Sequence, residues 1–190
     1  HSVELMRTHE LDNGWMFKKR QNNSLHIGYG VRFFNLDDTF YWEGKGGILG
    51  RTVVNTVAEN QIIGPQIRAA YRTQRGRCGL NLDGRFVFGY NMGEDLISGS
   101  INKPIAADPT TTSISRRDDD FSPMIEFRAE GSYQLTSSIA LKLGYTGMFI
   151  DNITRGSQVV VYSLPNMGLS QGGQQDIMAH GADFGIEAVY

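Results

Sequence analysis

The chain has 190 residues, a pI near 6.1 and a formal net charge of −2 at pH 7. This length is that of one domain, and the near-neutral charge argues against a nucleic-acid-binding protein, which normally carries a basic face. No apolar run approaches the length of about 18 residues that a transmembrane helix needs. A membrane-spanning β-barrel is still compatible with the mean hydropathy of −0.30, because its lumen-facing residues lower the average.

Seven segments are predicted to be strands, because apolar and polar residues alternate along them. The alternation is weakest in the first segment. In chain order they are residues 2–11, 25–33, 63–72, 80–90, 125–135, 139–149 and 182–190. Pro65 fits poorly, since it cannot donate a hydrogen bond to a strand ladder. We therefore expect a bulge or a later strand start at this residue.

The segment 139–149 shows the alternation most clearly. Its apolar parity includes Leu141 and Leu143, and its polar parity includes Lys142 and Gly144. Successive side chains of a strand point to opposite faces, so this strand has one apolar and one polar face. The pattern recurs in strand after strand, and the polar parity carries charges that a packed core would not accept. This combination predicts an all-β, antiparallel, up-and-down transmembrane β-barrel with lipid outside and a polar lumen.

Charged residues on the polar parity are predicted to face the lumen. They are Arg32, Arg68, Arg72, Asp83, Arg85, Glu126, Arg128, Glu130, Lys142, Asp183 and Glu187. Six basic residues meet five acidic ones, so strong ion selectivity is not expected. Two interpretations stay open. The charges form a paired ladder that braces a narrow lumen, or they line a conducting pore.

Aromatic residues at the ends of the apolar parity predict two belts at the membrane interfaces. Phe33, Tyr90 and Phe149 belong to one end, and Tyr71, Tyr133 and Tyr190 belong to the other. The alternative is that these residues reflect only the high strand propensity of aromatic side chains.

The connections between the predicted strands alternate between short and long. Short turns lie near residues 74–76 and 136–138, and long loops are predicted at 36–58, 92–120 and 152–180. Outer-membrane barrels have short periplasmic turns and long extracellular loops. Residues 1–190 are therefore interpreted as one outer-membrane barrel domain. Its first strand needs a partner before His1, so we expect the chain to be the C-terminal part of a longer barrel.

No pattern for catalysis, a cofactor or a metal emerges from the chain. Asp118–Asp120 and His180 could mimic the acids and the Asp/His couple of an omptin-like protease, but no nucleophile elbow is present. The run Arg116–Asp120 is predicted to be a self-neutralising charge cluster rather than a calcium site. We expect no enzymatic activity.

Several short motifs carry a resemblance to a known family. They are residues 30–38, 60–66, 75–80, 88–91 and 181–187. Together they resemble the putative beta-barrel porin family number seven of planctomycete-type bacteria, whose members usually carry further N-terminal strands. The chain departs from the family pattern at Cys78, where Trp is frequent, at Arg68, where Gly is common, and at Tyr190, where Phe is usual. The resemblance implies a barrel in the bacterial outer membrane.

The leading functional prediction is a porin-like passive channel for small solutes with weak charge selectivity. The alternative is a structural or adhesive envelope protein whose barrel is closed and whose loops or wall make lattice contacts. A soluble lipocalin-like barrel or sandwich is a third reading, and it requires the charged parity to face outward. The expected partners are outer-membrane lipid and neighbouring barrels of the same kind, with no nucleic acid.

Overall fold

The computed structural model describes residues 1–11, 23–46, 50–102, 110–158 and 173–188, and this part of the chain folds as one antiparallel sheet without helices. The nine strands are β1 (Ser2–Leu11), β2 (Asn23–Lys45), β3 (Arg51–Arg75), β4 (Cys78–Val87), β5 (Tyr90–Asn102), β6 (Thr110–Phe121), β7 (Met124–Gln134), β8 (Ile139–Thr154) and β9 (Gln174–Ala188). Within these ranges no helix could span a membrane.

The strands follow one another as an up-and-down meander in the order β1-β2-β3-β4-β7-β8-β9. Strand β5 pairs with the first half of β3, and β4 pairs with its second half in the same register. Likewise, β6 pairs with β5 and β7 pairs with β4 in one register. Strands β4 and β5 are therefore two halves of one long strand, as are β6 and β7. The seven predicted strands correspond to these seven positions.

Pro65 accounts for the interruption between β4 and β5. It lies inside β3, directly opposite Val31 of β2, so the expected bulge or late strand start is wrong. Because proline has no N–H to donate, the ladder is interrupted in the neighbouring strand instead, at Phe88 and Gly89. The Phe88 N–H still donates to the Pro65 carbonyl at 3.0 Å. Pro123 stands in the corresponding gap between β6 and β7.

Two of the three predicted long loops are strands over most of their length. Strands β2 and β3 stay paired from Asn23–Thr73 to Lys45–Arg51. Strands β5 and β6 pair as far as Ile101 and Thr110. Paired backbone and β-branched residues keep these segments extended. The third predicted loop, 152–180, contains the end of β8 and the start of β9, and its central residues 159–172 lie outside the described residues.

The two sides of the sheet differ sharply in exposure. We call the side that bears Arg32, Asp83 and Glu126 the inward face, and the opposite side the outward face. Leu143 and Phe184 on the outward face are 64% and 70% exposed, whereas Arg32 and Asp83 on the inward face are both 7% exposed. A water-soluble sheet has the reverse distribution, with apolar side chains buried.

A bulge near the end of β8 turns the chain onto the inward face. The pairing of β8 with β9 shifts between Ile150 and Ile153, and Asn152 adopts a positive φ of 59°. Beyond the bulge, the Thr154 N–H donates to the Asn60 side-chain oxygen of β3 at 2.9 Å. The sheet is therefore strongly curved, and its inward face is concave. Its edge strands β1 and β9 do not pair with each other within the described residues, so the sheet is open there.

Candidate functional site

The inward face of the sheet is the candidate site, and its first component is a charged layer that links five strands. Arg32 of β2 contacts Glu126 of β7 at 2.6 Å. Glu126 is also 3.7 Å from Arg85 of β4, and Arg85 lies 3.2 Å from Glu4 of β1. These residues come from four strands, so the pairing crosses the concave face rather than following one ladder.

Asp83 extends the charged layer to β3. It accepts hydrogen bonds from Arg85 at 3.0 Å and from Arg68. Its side chain is 8% exposed, and a carboxylate in such a place is stabilised by two guanidinium groups. Arg32 also lies 3.5 Å from Ser2, and Arg85 contacts three carboxylates, so no single pair carries the layer.

The remaining charged residues form a second group on β7, β8 and β9. Arg128 contacts Glu130 at 3.1 Å and Asp183 at 3.9 Å. Lys142 contacts Glu187 at 3.0 Å. These groups are more exposed than the first layer, so their pairing contributes less stability. Ten of the eleven predicted lumen-facing residues therefore lie in ion pairs, and the exception within the described residues is Arg72.

Above the charged layer, the inward face carries an apolar layer that sequence reasoning missed. Its members are Ile62, Val87, Met124, Ile150 and Ile153, which are at most 1% exposed. They come from β3, β4, β7 and β8, and partly buried side chains of β2 and β9 pack against them. The signal was present in the sequence for four of them, because Ile62, Val87, Met124 and Ile150 continue the polar parity just beyond the apolar stretches. Ile153 reaches the same face only through the bulge in β8. The prediction treated that parity as polar throughout.

Polar contacts close the concave face above the apolar layer. The Asn60 amide donates to the Thr154 carbonyl at 2.8 Å and accepts from the Asn91 amide at 2.9 Å. The segment after β8 then reaches β2, where the Arg155 guanidinium and the Gly156 N–H both donate to Asp38 at 3.3 and 3.2 Å. The end of β8 therefore lies across the concave face.

Asp95 of β5 is a buried acid in this upper part. It is 2% exposed, and one of its side-chain oxygens has no hydrogen-bond partner. Burial raises the pKa of this carboxyl to about 6, against the opposing attraction of Arg116 and with a smaller contribution from the repulsion of Asp118.

A polar cleft of about 530 Å³ lies at the other end of the inward face, beside the turn between β3 and β4. Arg72, Arg77 and Lys142 contribute basic groups to its lining, and Glu130 and Glu187 contribute acidic ones. Gly76 has a φ of 60°, which permits the tight turn that places Arg77 here.

The predicted interface aromatics lie on the outward face where the structure describes them. Tyr90, Tyr133 and Phe149 are exposed. Phe33 and Tyr71 are partly exposed. Tyr190 lies outside the described residues. The outward surface also departs from a purely apolar band, because Arg7 of β1 is exposed opposite Tyr29.

The residues that could mimic a protease site do not come together. Arg116 pairs with Asp118 at 3.0 Å and Arg117 pairs with Asp119 at 3.2 Å, so this run neutralises itself as predicted. The ring of His180 instead lies 6.0 Å from that of Tyr145 on the outward face. Among the described residues, no group of three or more His, Cys, Asp or Glu side chains is arranged to hold a metal ion.

Comparison with known proteins gives one family. The family model described as Putative beta barrel porin-7 (BBP7) matches residues 7–190, which is nearly the whole chain. No curated protein and no solved structure matches.

Proposed function

The chain belongs to the Putative beta barrel porin-7 family, and from this premise we propose that it is an outer-membrane β-barrel through which small solutes pass passively, with weak charge preference. The observation that carries the proposal is the inverted surface, with large apolar side chains exposed on one face and charged side chains buried on the other. Lipid is the solvent in which such a surface is stable.

The length of the apolar surface supports a membrane-spanning role. On β3 the outward residues from Ile63 to Tyr71 are apolar or aromatic, and Gln61 and Thr73 bound them on either side. Eight residue steps cover roughly 26 Å along a strand, and a tilted strand of about this length crosses the hydrocarbon layer. The hairpins β2–β3 and β5–β6 then extend beyond the membrane.

Weak charge preference follows from the balance of charges on the inward face. The eleven lumen-facing residues predicted from the sequence comprise six basic and five acidic groups. Most of them are paired across neighbouring or facing strands, so no ring of one sign forms. Selectivity needs an excess of one sign at the constriction.

The apolar layer obstructs the proposed lumen, because buried side chains of four strands pack together there. Hydrophobic constrictions can regulate conduction by excluding water. Solute passage therefore requires side chains such as Met124 and Ile150 to move apart, which favours small solutes and low conductance.

A second candidate is a closed barrel with a structural role in the cell envelope. The apolar layer favours it, because side chains from six strands pack together there and the end of β8 lies above them. In that case the charge network braces the wall, and the outward face or the hairpin extensions contact neighbouring barrels.

Planar-bilayer recordings of the purified full-length protein separate the two candidates. A channel gives conductance steps with weak ion preference, and Met124→Ala enlarges them because it widens the apolar layer. Ile125→Ala, one residue away on the outward face, is the matched control and leaves the steps unchanged. If the parent protein and both variants are folded and none of them gives conductance steps, the channel is rejected and the closed barrel is supported.

A double substitution that neutralises two acidic residues gives an independent test. In a channel, Glu126→Gln with Glu130→Gln shifts the ion preference toward anions, because Arg85 and Arg128 are less compensated. In a closed barrel the same change leaves the buried Arg32 without its ion-pair partner, and the fold loses about 3 kcal/mol or more without any conductance.

A further inference from the structure

We infer that the cleft beside the β3–β4 turn is a binding site for a phosphate-type oxyanion, held by Arg72 and Arg77. Both arginines line this cleft of about 530 Å³ on the inward face. Arg72 projects from β3, and Arg77 belongs to the two-residue turn that follows Arg75.

The charge balance of the cleft supports an anionic ligand. Lys142 is neutralised by Glu187 at 3.0 Å, and Glu130 is neutralised by Arg128 at 3.1 Å. Arg72 and Arg77 have no ion pair and no side-chain hydrogen bond to any described residue. Two uncompensated guanidinium groups therefore face one cleft, whereas the other arginines of the inward face are paired.

The chemistry of the remaining lining fits an oxyanion. A guanidinium group presents a planar fork of N–H donors that matches the oxygens of phosphate or sulfate. Asn81 is the cross-strand neighbour of Arg72 and has a buried amide oxygen without a partner. Asn81 itself lines the cleft, and Ser132 adds a hydroxyl to the lining. The shared ligand chemistry is a phosphate group, either free in solution or on a lipid headgroup.

This inference goes beyond the proposed function and does not depend on it. The cleft lies at the turn end of β3, and the charged layer around Arg68 separates it from Ile62 in the apolar layer. An oxyanion can therefore enter whether or not the apolar layer opens. Phosphate binding without conductance supports the oxyanion site and rejects the channel. Conductance without phosphate binding supports the channel and rejects the site.

Titration of the purified full-length protein in phosphate-free maltoside micelles tests the site. Inorganic phosphate is added at constant ionic strength, balanced with chloride, and binding is followed by calorimetry. We expect saturable binding that Arg72→Gln and Arg77→Gln each weaken by about tenfold or more, since each removes charge-assisted hydrogen bonds. The double variant binds no phosphate.

Arg75→Gln is the matched control. Arg75 has the same charge on the same hairpin, but it lies on the outward parity and does not line the cleft. Its loss leaves phosphate binding unchanged. Equal weakening in Arg75→Gln and Arg72→Gln means diffuse attraction to a basic turn and overturns the site, as does an absence of binding in the parent protein.

Two further experiments identify the ligand and separate a loss of binding from a loss of folding. Short-chain phosphatidic acid replaces inorganic phosphate in a parallel titration. Binding of phosphate assigns a free oxyanion, binding of the lipid alone assigns a headgroup, and binding of neither rejects the proposal. Arg72→Lys keeps the positive charge and the fold but loses the planar fork, so it is expected to bind more weakly than the parent and more tightly than Arg72→Gln. Equal affinity of Arg72→Lys and Arg72→Gln with loss of strand content assigns Arg72 a structural role and overturns the proposal.

Discussion

Arg32 and Glu126 form an ion pair of 2.6 Å although β3 and β4 lie between their strands in the sheet. In a flat sheet, three strand spacings place the two backbones roughly 14 Å apart. Strong curvature of the sheet brings the two side chains together. The same curvature explains why Glu4 of β1 reaches Arg85 of β4. These contacts make the concave inward face narrow at the level of the charged layer.

Glu126→Gln is expected to destabilise the protein by about 3 kcal/mol, because it leaves the Arg32 guanidinium buried without a counter-charge. The measurement is the free energy of unfolding by denaturant from lipid vesicles. Glu94→Gln is the control, since Glu94 is exposed on the outward side of β5. A loss no larger than that of the control contradicts a bracing role for the Arg32–Glu126 pair.

Leu143→Arg is expected to cost about 2–4 kcal/mol if the site lies near the bilayer midplane, because the proposed function places the outward face against lipid. Lys142→Leu, on the inward face, is expected to cost no more than about 1 kcal/mol, since it removes only a partly exposed pair with Glu187. Unfolding series of both variants from the same vesicles provide the comparison. The reverse order, or equal costs, assigns the charged face to the outside and rejects a lipid-facing apolar surface.

Stability is expected to fall as the pH rises, through the effect of Asp95. Burial raises the pKa of this carboxyl from 3.8 to about 6, so the folded state binds its proton more tightly than the unfolded state does. The contribution of Asp95 protonation to the free energy of unfolding is full below a pH of about 4 and is lost as the pH rises through 6. Asp95→Asn mimics the protonated form and is expected to stabilise the protein by about 1–3 kcal/mol at pH 7, with no effect near pH 3.5.

Unfolding free energies of the parent and of Asp95→Asn across this pH range provide the measurement. Asp119→Asn is the control, because Asp119 lies on the outward side and pairs with Arg117 at 3.2 Å. A pH-independent difference between the parent and Asp95→Asn means that the Asp95 carboxyl does not change its protonation there.

Labelling of Cys78 tests which end of the sheet faces the periplasm in the proposed outer-membrane barrel. Cys78 is the single cysteine of the chain and is exposed at the start of β4, beside the short turn. We expect a membrane-impermeant maleimide to label it only after the outer membrane is permeabilised. A cysteine placed at Thr39 on the β2 extension, in a Cys78→Ser background, is expected to react on intact cells. Labelling of Cys78 alone on intact cells inverts the topology.

The alternation of residue types was sufficient to predict seven strand positions and to divide the residues of the predicted segments between two faces. Lys142 and Leu143, for example, lie on opposite faces as their parity predicts. The hairpin extensions were missed because the outward residues there turn polar, as at Glu59 and Gln61, and polar stretches without alternation read as loops. Long-range pairing between β3 and β5 keeps these segments extended, and no local pattern reveals it.

Parity along the chain is a local property, since each side chain alternates with its immediate neighbours. The sequence by itself therefore determined an all-β chain with one charged and one apolar face. Only the tertiary structure decided what the charged face contacts, because curvature and register place Arg32 against Glu126 and bring Ile62, Met124 and Ile150 into one apolar layer. These contacts join residues 26 to 94 positions apart, and their geometry depends on how the whole sheet bends.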